Sequence, residues 1–381
     1  EKAKDIKVSA LNKVSQAQIA GNVSAGGTAG VGVSVLSNVN VSSVEAGIEK
    51  GAKIGSQNQR VGEVTVDAQS IQDYHSILFA VAGGGTAAVN GSVNSNIVVN
   101  DTNAYIDKGV DIYSYDKLNV LALDTMDIES LNLAVAGSGT AAGGAILYVD
   151  LLNNKVNSTI GRNNDADITK SGILDIQKDV LVKAGSNEDF QANILMVGGS
   201  GTAAVGGIVI ANTMASEVKA GIEETTLKSG SKVDVKASNG FNEKNKNKTT
   251  GLKGLVLNAD GTAKVDSLDV DDFIPLVSIL NVAGSGVASV TGSIINNVVT
   301  TNVESYVKNA DITTANGLNL DAQSTMTTYD TAMGIAASGT AAVGVTGVNN
   351  VYAGKTTSII EDSTISGNVD LNSKDTFNLN T

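Results

Sequence analysis

The chain has 381 residues with a formal net charge of −13, 42 Gly, one Pro, no Cys and no Trp. Apolar content is sufficient for a core of small and β-branched side chains, and the acidic balance without a Lys/Arg stripe argues against nucleic-acid binding. Absent cysteine excludes disulfides and thiolate metal sites, and no apolar run reaches the length of a membrane-spanning helix.

The N-terminal "EKAKDIKVSALNK" has no apolar signal-peptide core, and "IKVSALN" resembles the later "VTVDAQS". The chain therefore reads as a piece of a longer protein that starts inside a repeat. A glycine phrase follows, and it recurs as "AGGTAG" (25–30), "GGGTAA" (83–88), "GSGTAA" (137–142), "GSGTAA" (199–204), "GSGVAS" (284–289) and "ASGTAA" (337–342). Its anchors Thr28, Thr86, Thr140, Thr202, Val287 and Thr340 are spaced by 58, 54, 62, 85 and 53 residues. Such a period marks a repeat architecture of about six units.

Gly137, Gly139 and Ala142 also match the loose dinucleotide fingerprint G-x-G-x-x-A. That motif works by opening a helix toward a pyrophosphate and is needed once, whereas here it recurs and is followed by Asn, Gly, Ser and Val. No cofactor is expected. Gly27, Gly85, Gly137, Gly139, Gly201, Gly286 and Gly339 are instead assigned to structural turns between stacked strands.

Within each unit an apolar lead such as "SILFAVAGGGTAAV" enters the glycine turn, a polar-apolar alternation such as "IVVNDTNAYIDKGVDI" leaves it, and a phrase such as "EVTVDAQS" closes the unit. Period-two alternation predicts half-buried strands, and helix signals are nearly absent. The predicted fold is all-β, a repeat solenoid forming a right-handed parallel β-helix, with stacked β-hairpin repeats as the alternative. Two or three coils per unit are expected, giving a rod roughly 60 to 85 Å long. The whole chain 1–381 reads as one solenoid.

The long step between Thr202 and Val287 holds an insertion, residues 239–273, within the fourth repeat. It opens on Lys244, Lys246 and Lys248 and ends on Asp266, Asp269, Asp271 and Asp272. Loops that leave a solenoid often recognise partners. The acidic end matches neither an EF-hand nor a glycine-aspartate nonapeptide, so it reads as a solvated loop and a recognition surface, with no metal assigned.

No catalytic constellation emerges. His75 lies beside Tyr74 and Asp73, but no nucleophile elbow accompanies it. Carbohydrate-active β-helices use paired carboxylates with arginine, and Arg60 and Arg162 are the only arginines. Asp111, Asp150, Asp167, Asp175 and Asp311 are placed at turns or strand edges and given no role. Asn-x-Ser/Thr sequons, including those at Asn22, Asn40, Asn90, Asn157 and Asn247, follow from Asn-rich composition. The chain is read as a non-enzyme.

The units "AVAGSGTAAGGAI…NST…ADIT…VLVKAGS" and "NVAGSGVASVTGSIINNVVTTNVESYVKNADI…LNLDAQS" resemble repeats of leukotoxin-type filamentous adhesins of fusobacteria, large secreted proteins akin to filamentous haemagglutinins. The resemblance covers nearly all of the chain outside the insertion. It implies a β-helical shaft, export through the outer membrane by a partner transporter, an extracellular or cell-surface location, and adhesion to a host receptor or glycan. Action on leukocytes as a cytolytic segment, and a carbohydrate-active β-helix enzyme, are the alternatives.

Overall fold

The structure is a computed structural model and describes residues 4–162, 172–240 and 276–380. Among them there is no helix, and every inter-strand ladder is parallel. The chain is a right-handed parallel β-helix solenoid.

One coil shows how the sequence folds. In the second coil, β4 (Val64–Gly84) alternates inward Val66, Ala68, Ser70, Gln72 and Tyr74 with outward Thr65, Asp73 and His75. The two-residue turn Gly85–Thr86 reverses the chain into β5 (Ala87–Asp107), and a corner at Gly109 leads to the short β6 (Asp111–Ser114). The left-handed corner recurs as Gly51 in the first coil and as Glu224, Asn309 and Asp362 in later ones.

Three sheets result. The first stacks β1 (Ile6–Gly26), β4, β7 (Leu118–Ser138), β10 (Val180–Ser200), the pair β13 (Val233–Gly240) and β14 (Leu276–Ser285), β17 (Leu318–Ser338) and β20 (Val369–Asn380). The second stacks β2 (Ala29–Ile48), β5, β8 (Ala141–Arg162), β11 (Ala203–Glu223), β15 (Ala288–Lys308) and β18 (Ala341–Glu361). The third stacks β3 (Lys53–Ile54), β6, β9 (Ile173–Ile176), β12 (Thr226–Ser229), β16 (Asp311–Thr314) and β19 (Thr364–Ser366).

Two expectations are corrected. Each repeat unit makes one coil, not two or three, because single strands of 20 to 22 residues consume most of the period. Six steps of about 4.8 Å give a stack roughly 29 Å tall, while a 21-residue strand spans roughly 69 Å. The described body is a broad blade, not a 60 to 85 Å rod. The hairpin alternative also fails: β4 and β5 do not pair with each other across their turn but with their equivalents in the coils above and below.

The interior tapers, and the side chains follow. Where three sheets meet, the core is Val, Ile and Leu with interspersed Ala, including Val66, Ala68, Ile106, Ile112, Leu118 and Val182. Midway along the blade Met126, Tyr148, Phe190 and Met196 fill the gap, with the Tyr148 and Phe190 rings 6.3 Å apart. At the glycine edge the layers converge and only Ala82, Ala88, Ala136 and Ala142 fit. Polar belts of Asn, Ser and carboxylates separate these clusters.

The long step is explained by the fifth coil. Gly240 pairs with Asn187 and Leu276 with Gln191, so just Glu188, Asp189 and Phe190 lie opposite the interruption. The insertion therefore leaves the middle of a first-sheet strand and returns to the same strand.

Candidate functional site

The turn glycines form a column at the blade edge. Gly139 N donates to Gly85 O at 3.2 Å, Gly201 N to Gly139 O at 3.1 Å, Gly286 N to Gly201 O at 3.1 Å and Gly339 N to Gly286 O at 3.1 Å. A Cβ on Gly85, Gly139, Gly201, Gly286 or Gly339 would sit 2.1 to 2.4 Å from the carbonyl oxygen of the glycine below. Gly27 begins the column and meets nothing within 4 Å. Gly137 is different: it ends the outward face of β7, and a Cβ there meets nothing within 4 Å either. Stacked backbones, with no helix following the turn, leave the glycines without the geometry of a dinucleotide site.

His75 lies on the outer face of the first sheet between two carboxylates. Asp73 Oδ1 is 2.7 Å from Nε2, and Glu129 Oε2, on the coil above, is 3.1 Å from Nδ1. A shallow groove of about 230 Å³ adjoins them, lined also by Ile77, Leu131, Gln191 and Asn193. The neighbouring hydroxyl is on the wrong side for nucleophilic catalysis. Successive residues of a strand face opposite ways, so Ser76 points inward, sharing a 2.7 Å hydrogen bond with Ser130. Glu129 is the partner that sequence spacing did not reveal, because it comes from another coil.

Inside the blade lie carboxylates that the sequence reading passed over. Asp124 is fully buried on β7, accepting hydrogen bonds from Asn100 Nδ2 and Asn154 Nδ2, both at 2.7 Å. Burial, then the nearby Glu188 charge, pushes its pKa up to about 7. Glu188 itself accepts from Asn154 Nδ2 at 2.8 Å and from the Ser186 and Ser216 hydroxyls at 3.0 Å, and burial raises its pKa. Asp330, bonded by Asn297 at 3.0 Å and Asn350 at 2.8 Å, is likewise raised by burial.

Asp150 requires a correction, since turn chemistry does not account for it. It is 0 % exposed in the middle of β8, and burial pushes its pKa up to about 7. It stands in an asparagine column, Asn38, Asn96, Asp150, Asn212, Asn297 and Asn350. Asp175 also leaves its expected place: it lies on β9, where the Arg60 guanidinium, two coils away, reaches Oδ2 at 2.6 Å and holds its pKa below the usual carboxylate range. Asp111 and Asp311 begin the short strands β6 and β16. Asp167 lies outside the described residues.

These buried acids are closed off from solvent, so the interior cannot receive a substrate without opening. Among the described residues no group of three His, Asp or Glu side chains is arranged to hold a metal ion. Nor, among them, is any helix long and apolar enough to cross a membrane. The recognition residues expected in the insertion, Lys244, Lys246, Lys248, Asp269, Asp271 and Asp272, lie outside the described residues. Comparisons with protein-family models, with curated proteins and with solved structures find no match.

Proposed function

We propose that the chain is a shaft segment of a secreted or surface-exposed bacterial adhesin of the leukotoxin-type filamentous class. Its work is to present extended outer faces, with the insertion after Gly240, to host cells. The observation that carries this reading is the coil itself. Glycine turns, core alanines and polar belts are spent on stacking one copy of the unit on the next, while Asp124, Asp150 and Glu188 are closed off inside. A surface of that kind supports many weak contacts along one filament, and such contacts sum to avidity.

On this reading the parent protein is exported through the outer membrane by a partner transporter and meets a host receptor or glycan. The test is binding of the purified chain to human leukocytes and epithelial cells, with and without residues 241–272, while viability is scored. Binding with intact cells supports adhesion, and binding lost with the segment places recognition there. Cell death moves the assignment to a toxin, and absence of binding to either cell type overturns the proposal for this segment.

A further inference from the structure

The outer face of the second sheet carries glycines that the fold does not require. Gly91, Gly207 and Gly292 lie in one outward column with Ala145 between the first two, in strand interiors where glycine costs stability relative to alanine. None has a left-handed φ, and a Cβ at any of them would come no closer than 3.9 Å to another part of the chain. Neither backbone conformation nor internal space accounts for them. A glycine in a strand without an internal reason marks close approach from outside.

The flanking columns give that approach a shape. Val31, Val89, Val205, Val290 and Val343 form a ridge on one side of the glycine groove, interrupted at Gly143 between Val89 and Val205. Leu147, Val209 and Ile294 form the other, with Val209 45 % and Ile294 52 % exposed. From Ala29 to Val41, and at every paired position up to Ala353 on β18, no outward side chain is charged. Six strands by about twelve residues make an apolar face on the order of 1,000 Å². A standard stable interface needs about 800 Å² from each partner, and monomers rarely expose a patch this size.

We infer that this face docks against the same face of a second copy of this chain, each copy seating an apolar ridge in the other's glycine groove. A second copy fits because ridge and groove run side by side along the stack with the same inter-strand spacing, so a two-fold axis brings one onto the other. The charge-free field leaves no unpaired ion in such an interface, as sheet-on-sheet packing requires.

Sedimentation velocity over a hundredfold range of concentration tests the inference, with the double variant Gly207→Leu, Gly292→Leu alongside. The native chain should dimerise, and the filled groove should weaken dimerisation roughly tenfold or more, while thermal unfolding shows the variant folded. Val209→Lys, on the ridge, is a second variant with the same expectation should the first not fold. A native chain that stays monomeric overturns the inference. So does a dimer that both variants leave undiminished, which would indicate end-to-end stacking. A monomer that floats with phosphatidylcholine–phosphatidylglycerol vesicles overturns it in favour of lipid.

Discussion

The amide of Gly139 donates to the carbonyl of Gly85 at 3.2 Å, and a Cβ on Gly139 would lie 2.3 Å from that same oxygen. Hydrogen bond and steric exclusion thus act at one atom, so any side chain must break the ladder that stacks the two coils. Gly139→Val should destabilise the fold by about 1–3 kcal/mol, the usual cost of forcing volume into a packed site. Gly137→Ala, two residues away, should be neutral or stabilising by a few tenths to about 1 kcal/mol, since its Cβ meets open space. Urea melts of the two variants check both, and equal losses would contradict the column geometry.

Asp150 interrupts a relay. Asn96 Nδ2 donates to Asp150 Oδ1 at 2.8 Å, and higher in the column Asn212 donates to Asn297 and Asn297 to Asn350, each at 2.9 Å. Between the two runs Asp150 Oδ2 and Asn212 Oδ1 are buried acceptors facing each other's coil without a hydrogen bond. Asp150→Asn supplies a donor at every pH and should stabilise the protein by about 1–3 kcal/mol above pH 7, where the Asp150 carboxyl is ionised and offers none, the range for satisfying a buried polar group. A lower urea midpoint in the variant would rule this out.

Stability should fall as pH rises from about 4 to 7. Asp124 and Asp150 hold protons up to about pH 7 when folded, whereas their unfolded carboxyls release them near 3.8, the ordinary aspartate value. Across that window the native state binds more protons, so unfolding is favoured by increasing pH, with a slope of about 1.4 kcal/mol per unit for each fully shifted group. Above pH 7 the contribution levels off. Urea midpoints at pH 5 and 7.5 should differ in favour of pH 5, and Asp150→Asn should shrink the difference.

The interruption between Gly240 and Leu276 spans three positions of the neighbouring strand. Replacing residues 241–275 by three strand-forming residues should join β13 to β14 without a register change. The expected outcome is an unchanged far-UV circular dichroism spectrum and a melting temperature at least equal to that of the parent, because loop closure no longer opposes folding. Loss of the cooperative transition would show that the insertion contributes to the coil.

The repeat, its glycine turns and its strands were legible because each leaves a local mark: phrases such as "GSGTAA" and a polar-apolar period of two. The number of coils was not. A strand of 21 residues is several times the usual length, so a unit of this period looked long enough for two or three turns of chain. Asp150 is legible in principle, since it shares parity with the inward Tyr148 and Leu152, but aspartate's preference for turns points the other way. The His75–Glu129 contact and the Asp124–Glu188 belt join residues on different coils, and their register is set by stacking, not by local sequence.

One unit per coil has a genetic corollary. Recombination between two glycine phrases would remove or duplicate a whole level, and the rejoined strands would meet neighbours carrying the same small residues at the same height. Length could then drift in single-coil increments with the glycine edge preserved and only unlike inward columns, such as Gln72, Met126 and Glu188, left to repack, so isolates carrying different numbers of coils would differ in reach while keeping the same cross-section.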